Sequence, residues 1–242
     1  MILLDKNKKY LITDSATQGL YLLFNSIRIS NSVILHPNTC LHVYMAALHA
    51  RKKVHFVDIE TKSCNYNKSD LRKKIEYIKE KEKHPPIVVI VHLYGITCPL
   101  DIVEVCNKQD AIVIEDCAQA LFSLYSDKSA VGSKGDFSVF SFGDTKHLNL
   151  GSSGTIVFNN EYLYQKLKTS LINLKLIKSL SNTNQNENYK SDYYSLMKDK
   201  ISHEVNQIKK GDFRDFLQHY SKIFSEGIKQ NKFNFVEIKK MI

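Results

Sequence analysis

"IVVIVHLYGITCPLDIVEVCNKQDAIVIED", Ile87 to Asp116, is the stretch from which the architecture of this chain can be read. It opens on the run "IVVIVHL" (Ile87 to Leu93) and closes on "AIVIED" (Ala111 to Asp116). Between them, Leu100 to Lys108 carries apolar residues at helical spacing. Short Val/Ile runs that are apolar on both faces read as strands covered on both sides, and a helix between two of them makes a crossover between parallel neighbours.

Working outward, the same alternation extends from Leu11 to Phe158. Further runs are "SVIL" (Ser32 to Leu35), "KVHFV" (Lys53 to Val57), "FSVFSF" (Phe137 to Phe142) and "TIVF" (Thr155 to Phe158). Helical spacing recurs over Thr17 to Ile27, Val43 to Ala50 and Ser69 to Lys81. The reading is an α/β layered domain with a largely parallel sheet. Past Asn160 the character changes. Glu161 to Leu180 reads as helix, Ser181 to Asp192 as a polar loop, and Tyr193 to Ile242 as Lys-rich helices broken at "KKGD", Lys209 to Asp212. This predicts an α/β domain over 1–160 and a helical, Lys/Asn-rich region over 161–242.

The 242 residues are 43% hydrophobic and 24% charged, ordinary for a globular chain able to bury a core. No stretch approaches the roughly 20 apolar residues of a membrane span, and "MILLDKNKKY" is too short an apolar run for a signal peptide. A cytoplasmic protein without membrane contact is expected. The five cysteines fall at no metal-like spacing, so neither a disulfide framework nor a metal site is expected. The net charge of +9 is concentrated late, with 15 Lys/Arg against 9 Asp/Glu from Glu161 onward. These lysines are scattered rather than clustered, which reads as solvated helix faces and not as a nucleic-acid surface.

In an α/β sheet, ligands bind beyond the carboxyl ends of strands, where loops meet helix N-termini. Four polar features fall there: "SAT" (Ser15 to Thr17), "PNT" (Pro37 to Thr39), "EDCAQA" (Glu115 to Ala120) and "SFGDTK" (Ser141 to Lys146). Asp116, closing an apolar strand, is expensive to bury unless it meets a cation or a protonated nitrogen. Thr17 at a helix start, with Ser141, suits a phosphate, and Lys146 is a candidate amine nucleophile. A phosphate, a protonated ring nitrogen and an imine-forming lysine together describe pyridoxal 5'-phosphate. Each residue also has a plainer reading: Asp116 or Thr17 as helix caps, Gln119 as loop packing, Ser141 as a turn hydroxyl and Lys146 as a solvated loop residue.

The order of "VHLYG" (Val91 to Gly95), "IEDCAQA" (Ile114 to Ala120), "VGSKGDFSVFSFGDTKHL" (Val131 to Leu148) and "GSSGTIVFNN" (Gly151 to Asn160) resembles the DegT/StrS family of nucleotide-sugar aminotransferases. The resemblance runs from about Thr13 to Asn160. It implies the fold type I architecture of pyridoxal phosphate enzymes, with a mostly parallel seven-stranded sheet. By the same resemblance, Lys146 matches the lysine that bonds to the cofactor aldehyde and then moves a proton. Asp116 matches the partner of the pyridine nitrogen, and Gln119 the glutamine beside the ring. Ser141, Ala16 and Thr17 match phosphate ligands. The implied reaction takes an amino group from an amino acid, with glutamate the expected donor, to a nucleotide-linked keto sugar of a surface polysaccharide or lipopolysaccharide pathway. A homodimer is implied as well. Relatives that are dehydratases carry histidine in place of the lysine, so Lys146 favours transamination.

Three departures stand beside the resemblance. The aromatic residue that stacks on the cofactor ring is replaced by Cys40, and His42, two residues on, is the candidate substitute. The turn after the lysine is "GSSG", Gly151 to Gly154, without the acidic residue common there. The region after Asn160 shows no match to the small domain of full-length members. These departures keep a second expectation open: a degenerate or shortened member that is a non-catalytic partner or half of a split enzyme. His92 and Cys117 read as structural, and His147 as pointing away from the site.

Overall fold

The computed structural model describes residues 2, 5, 7–60, 63–143, 145–149 and 153–173. Its chain order is β1 (Lys9–Thr13), α1 (Ala16–Ser26), β2 (Ser32–Leu35), α2 (Leu41–His49), β3 (Lys53–Phe56), α3 (Lys68–Glu82), β4 (Ile87–Val91), α4 (Leu100–Lys108), β5 (Ile112–Asp116), β6 (Phe137–Ser141), β7 (Gly154–Phe158) and α5 (Glu161–Asn173). The strands form one seven-stranded sheet in the order β1-β7-β6-β5-β4-β2-β3. All pairings from β3 across to β6 are parallel. β7 runs antiparallel to both of its neighbours, β6 and β1. The carboxyl ends of β1, β2, β4, β5 and β6 therefore share one edge of the sheet.

Six of these strands coincide with the apolar runs of the sequence. The seventh, β1, is "KYLIT"; it lies at the sheet border and buries only Thr13 fully, so it lacks the double-faced apolar signature of the others. The run Ile87 to Leu93 ends as a strand at Val91, because the chain turns through a single 3-10 turn at Leu93–Gly95 in which Tyr94 is left-handed. Ser15, not Thr17, caps α1: its hydroxyl accepts from Gln18 N–H.

Two layers of helices cover the sheet. Val33, Val89, Ile112, Ile114, Phe137, Val139 and Ile156 point to one face, into a core shared with α1, α2 and α5. Val88, Ile90 and Val113 point to the other, against α3 and α4. The loop from Cys117 to Val131 completes that second face, over Phe140, Phe142 and Val157. This two-residue alternation of facing means that adjacent residues at the end of β5 look into different environments. α5 adds Leu167 and Leu171 to the α1 core, while the remainder of the expected helical region, from 174 onward, lies outside the described residues. Among the described residues the cysteines form no disulfide; Cys98, Cys106 and Cys117 are buried, and Cys40 and Cys64 are exposed. Among the described residues no helix is long and apolar enough to cross a membrane.

Candidate active site at the carboxyl edge of the sheet

Asp116 is the last residue of β5 and is almost wholly buried. It follows Ile112 and Ile114 on the α1 face. Among the described residues its side chain receives one hydrogen bond, from Ala118 N–H at 3.0 Å, inside its own loop. Burial raises its pKa above the usual aspartate value, against the opposing pull of Ala118 N–H and the positive charge of Lys146. A carboxylate in this state is short of partners, and a cationic or N–H donor from a ligand would relieve it.

Lys146 lies in the loop after β6, anchored by its backbone N–H to Gly143 O at 3.0 Å. Its charge is felt at Asp116 and also at His147, whose pKa is lowered to about 4, first by burial and then by Lys146. The His147 ring packs edge-on to Phe122, with ring centroids 6.3 Å apart. Gln119 Oε1 accepts from Tyr94 N–H at 2.9 Å, so the glutamine pins the left-handed turn after β4 and keeps its amide NH₂ to donate elsewhere.

The part of the edge around Ser141 is built by three strands and one helix. Ser141 closes β6 on the α1 face, and no side-chain hydrogen bond to its hydroxyl occurs among the described residues. In register, Ser141 lies opposite Gly154 of β7, which in turn lies opposite Thr13 of β1. A Cβ on Gly154 would stand 2.4 Å from Ala16 N and 2.5 Å from the Ser15 carbonyl carbon. Only glycine lets the Ser15–Ala16 peptide cross the sheet there. That crossing brings the first turn of α1 toward Ser141. Gln18 N–H is taken by Ser15, which leaves the Ala16 and Thr17 N–H groups as first-turn donors.

Asp116, Ser141, Ala16, Thr17, Gln119 and Lys146 thus all lie at or just beyond one edge of the sheet. His42 stands apart from them in its contacts. It is exposed on the first turn of α2, and its Nδ1 lies 3.5 Å from Cys40 Sγ, with no hydrogen bond to the other six among the described residues.

Sequence reasoning missed the polar cluster on the opposite face of β5. Glu115 is fully buried, and its carboxylate accepts from His92 Nε2 (3.0 Å), Tyr125 OH (2.6 Å) and the N–H groups of Gly132 (2.8 Å), Lys134 (2.6 Å) and Gly135 (2.6 Å). His92 Nδ1 accepts from Cys98 N–H at 3.1 Å, which assigns the proton to Nε2. Burial alone would raise the Glu115 pKa, but these hydrogen bonds outweigh it and the pKa is lowered. Two adjacent carboxylates ending an apolar strand were the available signal, since alternation sends one of them to each face.

Strand order, layering and polar groups gathered at the carboxyl edge define a fold type I α/β domain. The DegT/DnrJ/EryC1/StrS aminotransferase family matches residues 4–202, and the chain belongs to that family. It is 37% identical over 159 residues to GDP-perosamine synthase of Escherichia coli O157:H7, covering 63% of this chain and 41% of that one. It is 32% identical over 159 residues to the UDP-4-amino-4,6-dideoxy-N-acetyl-beta-L-altrosamine transaminase of Campylobacter jejuni serotype O:2, covering 65% and 41%. Among solved structures it resembles Helicobacter pylori PseC, an aminotransferase involved in the biosynthesis of pseudoaminic acid. That likeness has 25% identity and a TM-score of 0.58, over 66% of this chain and 43% of PseC. The matched stretch spans about two fifths of the length of these curated relatives.

The family implies pyridoxal phosphate, and the residues present fit it. A phosphate would meet first-turn N–H groups of α1 and the Ser141 hydroxyl, beside a glycine whose Cβ would block the approach. A ring nitrogen would meet the buried Asp116 carboxylate, which takes one hydrogen bond among the described residues and feels the charge of Lys146.

Proposed function

We propose that this chain binds pyridoxal phosphate and moves an amino group from an amino acid, glutamate, to a keto sugar carried on a nucleotide. Family membership and the sugar transaminases among its relatives support the reaction class. The observation that carries the reading is Asp116: buried, raised in pKa, with one donor of its own, and facing the side of Ser141 and the α1 N-terminus.

When bound, the cofactor supplies an aldehyde and an electron-withdrawing ring. In this reading Lys146 would be the residue that holds the cofactor through its amine and, when that amine is free, would take up and return a proton. Asp116 would accept a hydrogen bond from the ring N–H and favour its protonated form. The Ala16 and Thr17 N–H groups and the Ser141 hydroxyl would hold the phosphate. The Gln119 NH₂ would be available to donate to the cofactor, and the His42 imidazole is the candidate for the place that the family gives to a stacking aromatic side chain. The reading further includes a homodimer with the site at the interface, working in the cytoplasm in polysaccharide or lipopolysaccharide biosynthesis.

The test is a visible spectrum of the purified chain with pyridoxal phosphate, before and after glutamate. Borohydride reduction with peptide mapping then locates the attachment. A visible band, trapped on Lys146 and bleached by glutamate, is expected. An adduct that persists unchanged in Lys146→Ala would end the assignment. A band indifferent to glutamate would point instead to a cofactor-holding partner subunit.

A further inference from the structure

We propose that Glu115 is a positioning residue for Asp116, a role that rests on the cofactor-binding reading above. The two residues share a peptide unit but look to opposite faces of the sheet. Among the described residues, Asp116 has only Ala118 N–H, in its own loop, to orient it. Its aim therefore depends on how firmly the end of β5 is held, and Glu115 holds it.

Each group that Glu115 binds leads to another part of the site. His92 follows β4; its backbone N–H bonds Asp116 O at 3.2 Å, and its ring locks the 92–98 turn through Cys98 N–H. That turn carries Tyr94, whose N–H bonds Gln119. Tyr125 lies beyond Gln119 in the loop after β5, and Ser123 of the same loop ties back to Gly95 O at 2.7 Å. Gly132, Lys134 and Gly135 form a nest of N–H groups just before β6, the strand that ends at Ser141. Two glycines make the nest possible. Gly132 has φ +90°, and a Cβ there would meet Phe140 at 2.8 Å. A Cβ on Gly135 would lie 3.0 Å from Val113 O and 3.1 Å from Glu115 Cγ.

An apolar side chain would fill this place without the cost of burying a charge. What a carboxylate with directed donors adds is a single allowed arrangement of three loops. His92, Glu115 and Cys117 also place ligand-type atoms within 4.8 Å of one another. Their lone pairs are already committed: His92 Nδ1 to Cys98 N–H, and both Glu115 oxygens to the five donors.

The experiment is a double-mutant cycle on the full chain with Glu115→Gln, Asp116→Asn and the double variant, reading pyridoxal phosphate affinity. Glu115→Gln preserves shape but turns an NH₂ toward N–H donors. We expect it to weaken cofactor binding roughly tenfold in the native background and less than twofold beside Asp116→Asn, because its effect runs through that carboxylate. An equal factor in both backgrounds, or none in either, overturns the proposal. A second readout needs no cofactor: hydrogen exchange of the Ala118 amide, which reports the Asp116 orientation, should quicken about tenfold in Glu115→Gln. Unchanged Ala118 exchange also overturns it. If the native chain binds no pyridoxal phosphate, the functional reading fails and the Ala118 exchange alone decides the positioning role. Should Glu115→Gln fold poorly, Tyr125→Phe removes one donor of the five and should move both readouts the same way by a smaller factor.

Discussion

The two faces of β5 treat two neighbouring carboxylates in opposite ways. Glu115, on one face, is fully buried with five donors, and its pKa is held down. Asp116, on the other, is almost as deeply placed with one donor among the described residues, and its pKa is pushed up. Burial is common to both, so burial alone does not separate a structural acid from a candidate ligand-binding one. The supply of donors does. A carboxylate that the fold saturates is part of the scaffold, and one that it leaves short is available to a ligand.

The largest effect expected from this contrast is on folding. Glu115→Ala removes the acceptor and strands three backbone N–H groups, a phenol and an imidazole in the interior. We expect a loss of about 3–5 kcal/mol in urea denaturation of the cofactor-free chain. A loss below about 1 kcal/mol would mean that the cluster is not the anchor its geometry describes. Acid should act in the same direction. The Glu115 pKa lies below its unfolded value, so its contribution is full above the ordinary glutamate range and disappears as pH falls through the folded value.

A second expectation tests whether donor shortage alone marks a ligand site. His36, just after β2, is fully buried with neither ring nitrogen hydrogen-bonded among the described residues, and burial lowers its pKa from 6.5 to about 4. Yet it points to the face away from the site, edge-on to Tyr66 at 5.1 Å. A histidine with a depressed pKa is buried neutral, so the fold loses stability as pH falls from the unfolded value of 6.5 toward 4. His36→Leu should flatten that limb by about 2–3 kcal/mol and leave cofactor affinity unchanged. A fall in affinity would show that His36 belongs to the site.

Gly154→Ala carries the next effect. Its methyl would collide with the Ser15–Ala16 peptide, so the start of α1 must move. About 1–3 kcal/mol of stability should be lost, together with affinity for inorganic phosphate as a competitor of the cofactor. Affinity lost without stability would confine Gly154 to the ligand. Stability lost with affinity intact would remove the α1 N-terminus from the anion site.

Much of this was legible in the sequence, and the exceptions share a cause. Ile87 to Asp116 announced strand, helix and parallel strand because each run is apolar on both faces, and Asp116 stood out as a charge closing such a run. Where the apolar signal thinned, at "KYLIT", the strand went unread, since a border strand with half-exposed residues has no double-sided pattern. The role of Glu115 was hidden for a different reason. Three of its five donors are backbone N–H groups of a loop seventeen or more residues away, and main-chain donors leave no side-chain signature. Gly132 and Gly135 were visible only as part of a family motif, and the close approach that requires them appears only in three dimensions.

The smallest effect is the one whose sign is most informative. Asp116→Asn keeps an oxygen for Ala118 N–H and removes a charge whose burial is unfavourable in the cofactor-free chain. An acid whose folded pKa is raised costs stability at all pH above that value, and the cost fades as pH falls through it. The cofactor-free variant should therefore be more stable than the native chain by about 1 kcal/mol at pH 7, with the gain shrinking in acid. With pyridoxal phosphate the sign should reverse, since the amide cannot hold the ring nitrogen protonated. Thermal shifts measured with and without cofactor would read both signs on one protein. If the variant were less stable in both states, Asp116 would be a second scaffold acid, and the two faces of β5 would no longer differ in kind.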